Sequence, residues 1–226
     1  MRTARIGAFV MMILCTCGLC GCSLLDQVIG ADDWKDWTPD TTSLRVYGDG
    51  SVTETIFDSL DQTWYQGNEL QDMIARSMNE YNETHGDGAI NVTSYSDEGG
   101  KVQVEIDYRT GEDFAAYNNT QFCSGSMLDA QMEGFLFEGS FYETDKDRLV
   151  GEAVDSSEPL SHKEYSVVIS DGTHVVQVPG EIRYVSAGAQ LVNSHVAKRA
   201  DAQTDDSSLL YVIYEMDQSE YTQQSE

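Results

Sequence analysis

Between Lys101 and Arg109 the side chains alternate without interruption. Val102, Val104, Ile106 and Tyr108 face one way; Gln103, Glu105, Asp107 and Arg109 face the other. Successive side chains of a strand point to opposite faces, so this run is a strand with one buried and one wet side. A chain that contains it must lay an antiparallel sheet over a core and leave the other sheet face to solvent or to a ligand. The wet face of Val102–Tyr108 is therefore one candidate contact surface. The aromatic segment Phe135–Tyr142 is a second.

The neighbouring pattern extends the sheet. Ile90 and Val92 alternate with polar residues, and Asp97 to Gly100 supplies a hairpin turn into the 102–108 strand. Leu44 to Tyr47, a turn at Asp49-Gly50 and β-favouring residues from Ser51 to Leu60 predict two earlier strands. Helical spacing appears from Asn68 to Thr84, where Leu70, Met73, Ile74, Met78 and Tyr81 share a face. Asn68 and Gln71 form a capping-box-like pair and His85-Gly86 a stop. A short helix over Glu112–Asn118 is capped by Thr110, Phe122–Ser124 reads as a strand, and Met127–Gly134 as another short helix.

Residues 143–163 are charged at Asp145, Lys146, Asp147 and Arg148 and then rich in Ser and Pro, which predicts a connector. Beyond it the chain is β-rich. Tyr165 to Ser170 and Thr173 to Val178 flank Asp171-Gly172, the strongest short hairpin signal available. Glu181–Ser186, Gln190–Val196 and Ser208–Tyr214 complete the strands, with an acidic loop at Asp201–Asp206. The expected class is α+β: a mixed helix and antiparallel-sheet domain followed by an all-β C-terminal portion. The expected divisions are a leader at 1–21, a tether at 22–43, an α+β domain at 44–142, the connector at 143–163, a β-rich portion at 164–217 and a disordered tail at 218–226.

The first 22 residues address location. Arg2 and Arg5 precede an apolar run from Ile6 to Leu19 that is too short and too broken for a membrane span of roughly 20 residues. Leu19-Cys20-Gly21-Cys22 resembles the lipobox of bacterial lipoproteins, with Cys20 in a slot that usually holds Ala, Ser or Thr. The resemblance implies cleavage before Cys22, a diacylglycerol on its sulfur and a protein held to the extracytoplasmic face of the cell membrane. Two acyl chains give durable anchoring where one does not. Trp34 and Trp37 interrupt the polar tether, either as an interfacial foothold or by packing on the domain.

Cys15, Cys17 and Cys20 leave with such a leader and Cys22 is consumed by lipid. Only Cys123 remains, so the exported part forms no internal disulfide. It is long enough to fold on a hydrophobic core alone. The whole chain has 13 bases and 39 acids, a net charge of −26. Loss of Arg2 and Arg5 leaves 11 bases against 39 acids, or −28. That charge opposes nucleic-acid binding and adsorption to anionic headgroups. It fits a solvated acidic surface, with loose divalent-cation binding, a basic partner or an adaptation to high salt as alternatives.

Asn68-Glu-Leu with Tyr81-Asn82, the Asp113-Phe114 to Asn118 helix, Phe122-Cys-Ser-Gly and Val178-Pro179-Gly180 leading to Tyr184-Val185-Ser186 together resemble a group of uncharacterised lipoproteins from Gram-positive gut bacteria. The resemblance spans roughly residues 50–190 and implies compartment and overall shape. It transfers no activity.

Motifs of chemistry are sparse. His85, His162, His174 and His195 lack zinc spacing and read as surface or turn residues. Asp145 and Asp147 begin like a calcium loop, but Val150 stands where its glycine belongs. Asp201, Asp205 and Asp206 read as an acidic turn. Gly125-Ser126 has half of a nucleophile elbow and lacks the second glycine. Cys123 has no basic neighbour and reads as a small buried hydrophobe. No phosphate-cradling loop is found, and no cofactor, metal site or catalytic residue is assigned. The expected function is a non-catalytic binding or envelope-associated module that contacts the membrane through Cys22 and meets an envelope protein or wall component. The alternative is an envelope hydrolase acting on peptidoglycan or polysaccharide. A pocket joining two or more acids with a histidine or serine favours the hydrolase; an exposed apolar patch favours binding.

Overall fold

A computed structural model describes residues 34–60, 67–200 and 208–217. The leader, Cys22, the acidic loop at 201–206 and the tail at 218–226 lie outside them. The fold is α+β, as the patterning predicts. A 3-10 turn, Trp34–Asp36, leads into β1 (Ser43–Val46) and β2 (Val52–Ser59). Then come α1 (Gly67–His85), β3 (Ile90–Glu98), β4 (Lys101–Tyr108), α2 (Gly111–Asn118), β5 (Phe122–Ser126) and α3 (Met127–Met132). The remainder is β6 (Ser140–Asp145), β7 (Arg148–Asp155), α4 (Ser157–Leu160), β8 (Ser166–Ser170), β9 (Val175–Gln177), β10 (Gly180–Ser186), β11 (Ala189–Asn193), β12 (Val196–Arg199) and β13 (Leu210–Met216).

These strands form two sheets. One has seven strands in the order β11-β12-β9-β1-β2-β4-β3; the other has six, β5-β8-β13-β10-β6-β7. Every pairing is antiparallel except β1 with β9. The sheets share a core in which Leu44, Val46, Val52, Ile106 and Val176 of the first meet Val168, Ile182, Val212 and Tyr214 of the second. Leu70, Ile74, Met78 and Tyr81 of α1 and Phe114 of α2 extend that core. Met73, expected on the same helical face, is 55% exposed.

A second core covers the other side of the six-stranded sheet. Val167, Ile169, Tyr211 and Ile213 pack there against Met127 and Ala130 of α3 and against Phe137 and Phe141. The central strands β8 and β13 are buried on both faces, which explains why Val167-Val168-Ile169 and Leu210 to Tyr214 read as unbroken apolar runs. Within the seven-stranded sheet, β4 is buried on one face and partly exposed on the other, which is what its alternation requires.

Three expectations are corrected. Asp171-Gly172 does not close a hairpin: β8 belongs to the six-stranded sheet and β9 to the seven-stranded one. The segment instead crosses between sheets, held by an Asx turn in which Asp171 Oδ1 accepts from the Thr173 amide at 3.0 Å. Residues 143–163 are no bare connector. They contain the second half of β6, all of β7 and α4, and the charged cluster is the hairpin turn, with Lys146 at φ 59° and Arg148 paired to Asp145 at 3.1 Å. Finally, both sheets draw strands from before and after residue 143, so 44–142 and 164–217 are interleaved in one fold.

Candidate functional site

The outer face of the seven-stranded sheet carries a concave groove of about 810 Å³. Strand parity decides what lines it. Leu44 and Val46 point into the core, so Ser43, Arg45 and Tyr47 point out. Register then places Thr55 beside Ser43 and Thr53 beside Arg45. Glu105 follows beside Thr55 and Asp107 beside Thr53. Asn91 of β3 continues the second row and Gln177 of β9 begins it. Short Ser and Thr side chains in the middle strands leave depth; longer side chains form the rims.

The N-terminal segment supplies one wall. Trp34 is 5% exposed and sits edge-on to Tyr47, ring centroids 5.8 Å apart. Its carbonyl accepts from Gln177 Nε2. Arg45 Nε donates to Gln177 Oε1 at 2.6 Å, and Arg45 Nη2 donates to the Trp37 carbonyl at 2.8 Å. Residues 34–43, expected as the end of a tether, are thus part of the folded body, and Trp34 packs on the domain. Trp37 and Pro39 continue the wall.

Groove polarity is balanced. Lys35, Arg45 and Arg109 line it against Asp49, Glu105 and Asp107. The bases are engaged: Arg45 as above, Arg109 with Asp113 at 3.2 Å, and Lys35 over the Trp34 ring at 5.3 Å. Asp107 Oδ1 accepts from Thr53 at 2.6 Å. Asp49 accepts from the Ser51 amide and hydroxyl, a local turn. Among the described residues no side chain hydrogen-bonds the Glu105 carboxylate, the Ser43 hydroxyl or the Thr55 hydroxyl; Ser43 and Thr55 are 2% and 5% exposed as residues, and their hydroxyl oxygens are open to the groove.

From the wet side of the Lys101–Arg109 run Glu105, Asp107 and Arg109 line the groove, and Gln103 does not. The other candidate surface is mostly core: Phe137 and Phe141 are buried against Tyr211, and Leu136 stands out at 66% exposure. Gln177 and the Trp34–Pro39 wall are invisible to pattern reading, because their roles depend on long-range register. Arg45 left one signal, a charge placed between Leu44 and Val46.

The remaining candidates resolve into structural roles. Ser126 caps α3, accepting from the Asp129 amide at 3.1 Å and donating to its carboxylate at 2.6 Å. His85 stacks on Tyr81 and His162 on Tyr165. His195 lies in the β11–β12 turn, its Nδ1 buried without a partner among the described residues. His174, expected at the surface, instead reaches inward, with Nε2 3.0 Å from Glu54 Oε1. Glu54 is 5% exposed, and its other oxygen accepts from Tyr108 at 2.7 Å. Among the described residues no cluster of His, Cys, Asp or Glu has the arrangement of a metal site.

Cys123 is buried, and burial beside the Glu133 carboxylate pushes its thiol up to about 12. Only the thiolate reacts. In native protein at pH 8 the Cys123 peptide is expected to stay unlabelled by iodoacetamide and to label fully in denaturant, read by mass spectrometry. Stoichiometric native labelling contradicts the buried placement.

Comparison with known proteins finds no matching family model, no matching curated protein and no matching solved structure.

Proposed function

We propose that this chain is a lipid-anchored binding protein of the extracytoplasmic membrane face, held through Cys22, whose ligand site is the outer-face groove. The observation that carries the binding role is the groove floor, where the Ser43 and Thr55 hydroxyls and the Glu105 carboxylate open into the groove without intramolecular partners among the described residues. Water satisfies such groups until a ligand displaces it, and that ligand must offer the same hydrogen bonds; about 810 Å³ is within the size range of small-ligand sites. The lipobox resemblance supports the location, and with it an envelope or wall component as the ligand's source.

Two substitutions separate location from binding. Cys22→Ser is expected to lose lipid label and to be shed or left unprocessed, with the groove unaffected. Thr53→Trp fills the centre of the floor at a half-buried position. It is expected to change stability by no more than about 1 kcal/mol while cutting retention on isolated envelope material more than tenfold. Unchanged retention removes the groove from consideration.

A second reading has its own support. The groove joins Asp49, Glu105 and Asp107 with Ser43 and Ser51, and Glu105 and Asp107 lie two residues apart on one strand face. Glycoside hydrolysis needs two carboxylates across a bond. Release of reducing ends from wall polysaccharide, abolished by Glu105→Gln or Asp107→Asn, establishes the hydrolase in place of the binding module.

A further inference from the structure

We infer that the groove's ligand is an uncharged oligosaccharide. This rests on the groove being the binding site and adds the chemistry of what it holds. Ser43, Thr55 and Glu105 stand side by side on β1, β2 and β4, at the spacing of about 4.8 Å between neighbouring strands. Both residues are more than nine-tenths buried, yet their hydroxyl oxygens stay open to the groove and lack a partner among the described residues.

A hydroxyl donates one hydrogen bond and accepts others, whereas a carboxylate only accepts. An occupant that satisfies this row must therefore both donate and accept at short intervals. The hydroxyls of a sugar ring do so. An ammonium only donates, and a phosphate or carboxylate only accepts, so each leaves part of the row unmet.

Charge selects the same class. Three bases face three acids, so the groove offers an organic cation no net attraction. The chain's charge of −26 repels polyanions. Trp37 and Tyr47 on the wall provide flat apolar rings for the C–H face of a pyranose. An extended peptide is the poorer occupant, because peptides add to sheet edges through their backbone and this site is a sheet face.

Titration calorimetry with cellotetraose, maltotetraose and tetra-N-acetylchitotetraose, with spermidine and polygalacturonate as charged probes, tests the inference. Saturable binding of at least one neutral oligosaccharide is expected. Thr55→Val and Glu105→Gln should each weaken it about tenfold. Tyr47→Ala should do the same while Tyr47→Phe stays within about threefold, as a stacking role requires. The isosteric Thr55→Val separates ligand loss from misfolding. Absence of binding by all three oligosaccharides up to about 5 mM, or binding indifferent to Thr55→Val, overturns the inference. Tighter groove-dependent binding of spermidine or polygalacturonate also overturns the ligand class but leaves the binding site standing. If Thr53→Trp leaves envelope retention unchanged as well, the site itself falls.

Discussion

Glu54→Ala is expected to lower the unfolding free energy by about 3–5 kcal/mol, the range for removing one member of a buried charged network. Glu54 lies on β2 between Thr53 and Thr55, but points the other way, into the space beneath α2. Its two oxygens accept from Tyr108 at 2.7 Å and meet His174 Nε2 at 3.0 Å. Asn118 Nδ2 donates to the same Tyr108 hydroxyl at 3.1 Å, and Phe114 meets the His174 ring edge-on. Truncation strands a phenol and an imidazole in a region with little water and opens a cavity among aromatic rings. Glu54→Gln keeps the shape and one acceptor, so it should cost about 1–2 kcal/mol. Replacing Glu54 by Leu, Tyr108 by Phe and His174 by Phe together should recover part of the loss, since the buried carboxylate, phenol and imidazole are then all gone, while Asn118 keeps its bond to the Phe114 carbonyl but loses the Tyr108 hydroxyl. Urea unfolding with an unchanged m-value measures all three. A cost below about 1 kcal/mol for Glu54→Ala refutes the picture of a closed polar network.

How much of this could be read from residues depends on the range of the interaction that decides it. The β3–β4 hairpin was legible because alternation and turn are both local: Gly99 and Gly100 take φ of 64° and 79°, as a tight two-residue turn requires. The α2 cap was legible for the same reason, with Thr110 Oγ1 accepting from the Asp113 amide at 3.1 Å. Asp171-Gly172 misled because a turn signal does not say which sheet each flanking strand will join. Val167–Ile169 and Val175–Val176 are both apolar throughout, so neither carried a face preference that could have separated them. The inward position of Glu54 was present in the pattern, since it shares parity with Val52 and Ile56. An acid at a core position is improbable on composition alone, and only its partners, Tyr108 on β4 and His174 just before β9, make it tolerable. The groove was half legible. β4 announced a wet face, whereas Ser43, Arg45 and Gln177 join it only through the β1–β2 register and the parallel β1–β9 pair.

Above pH 10 the fold is expected to lose stability steeply, and Tyr108 accounts for a defined part of the loss. Burial pushes its phenol well above the ordinary value of 10.0, and the adjacent Glu54 carboxylate adds to the shift. Below pH 10 the phenol is protonated in both states, and its contribution to stability is complete. As pH rises past 10 the unfolded chain releases the proton while the folded protein retains it, so the unfolded state gains. The loss runs at about 1.4 kcal/mol per pH unit for one such tyrosine. It continues until the folded group itself ionises. Burial also raises the phenols of Tyr184 and Tyr211, which are 5% and 7% exposed. Tyr108→Phe should therefore reduce, without abolishing, the slope of stability against pH between about 10 and 11.5, by about 1.4 kcal/mol per unit. Its stability at neutral pH falls for a separate reason, the lost donor to Glu54. Phenolate absorbance supplies an independent check. In wild-type protein these buried tyrosines should ionise with unfolding, whereas the exposed ones ionise before it. Equal slopes for wild type and Tyr108→Phe contradict the buried phenol. Because Glu54 sits on the reverse of the strand that carries Thr53 and Thr55, the same alkaline transition should release any ligand held in the groove. Ligand loss without unfolding would separate the groove floor from the network behind it.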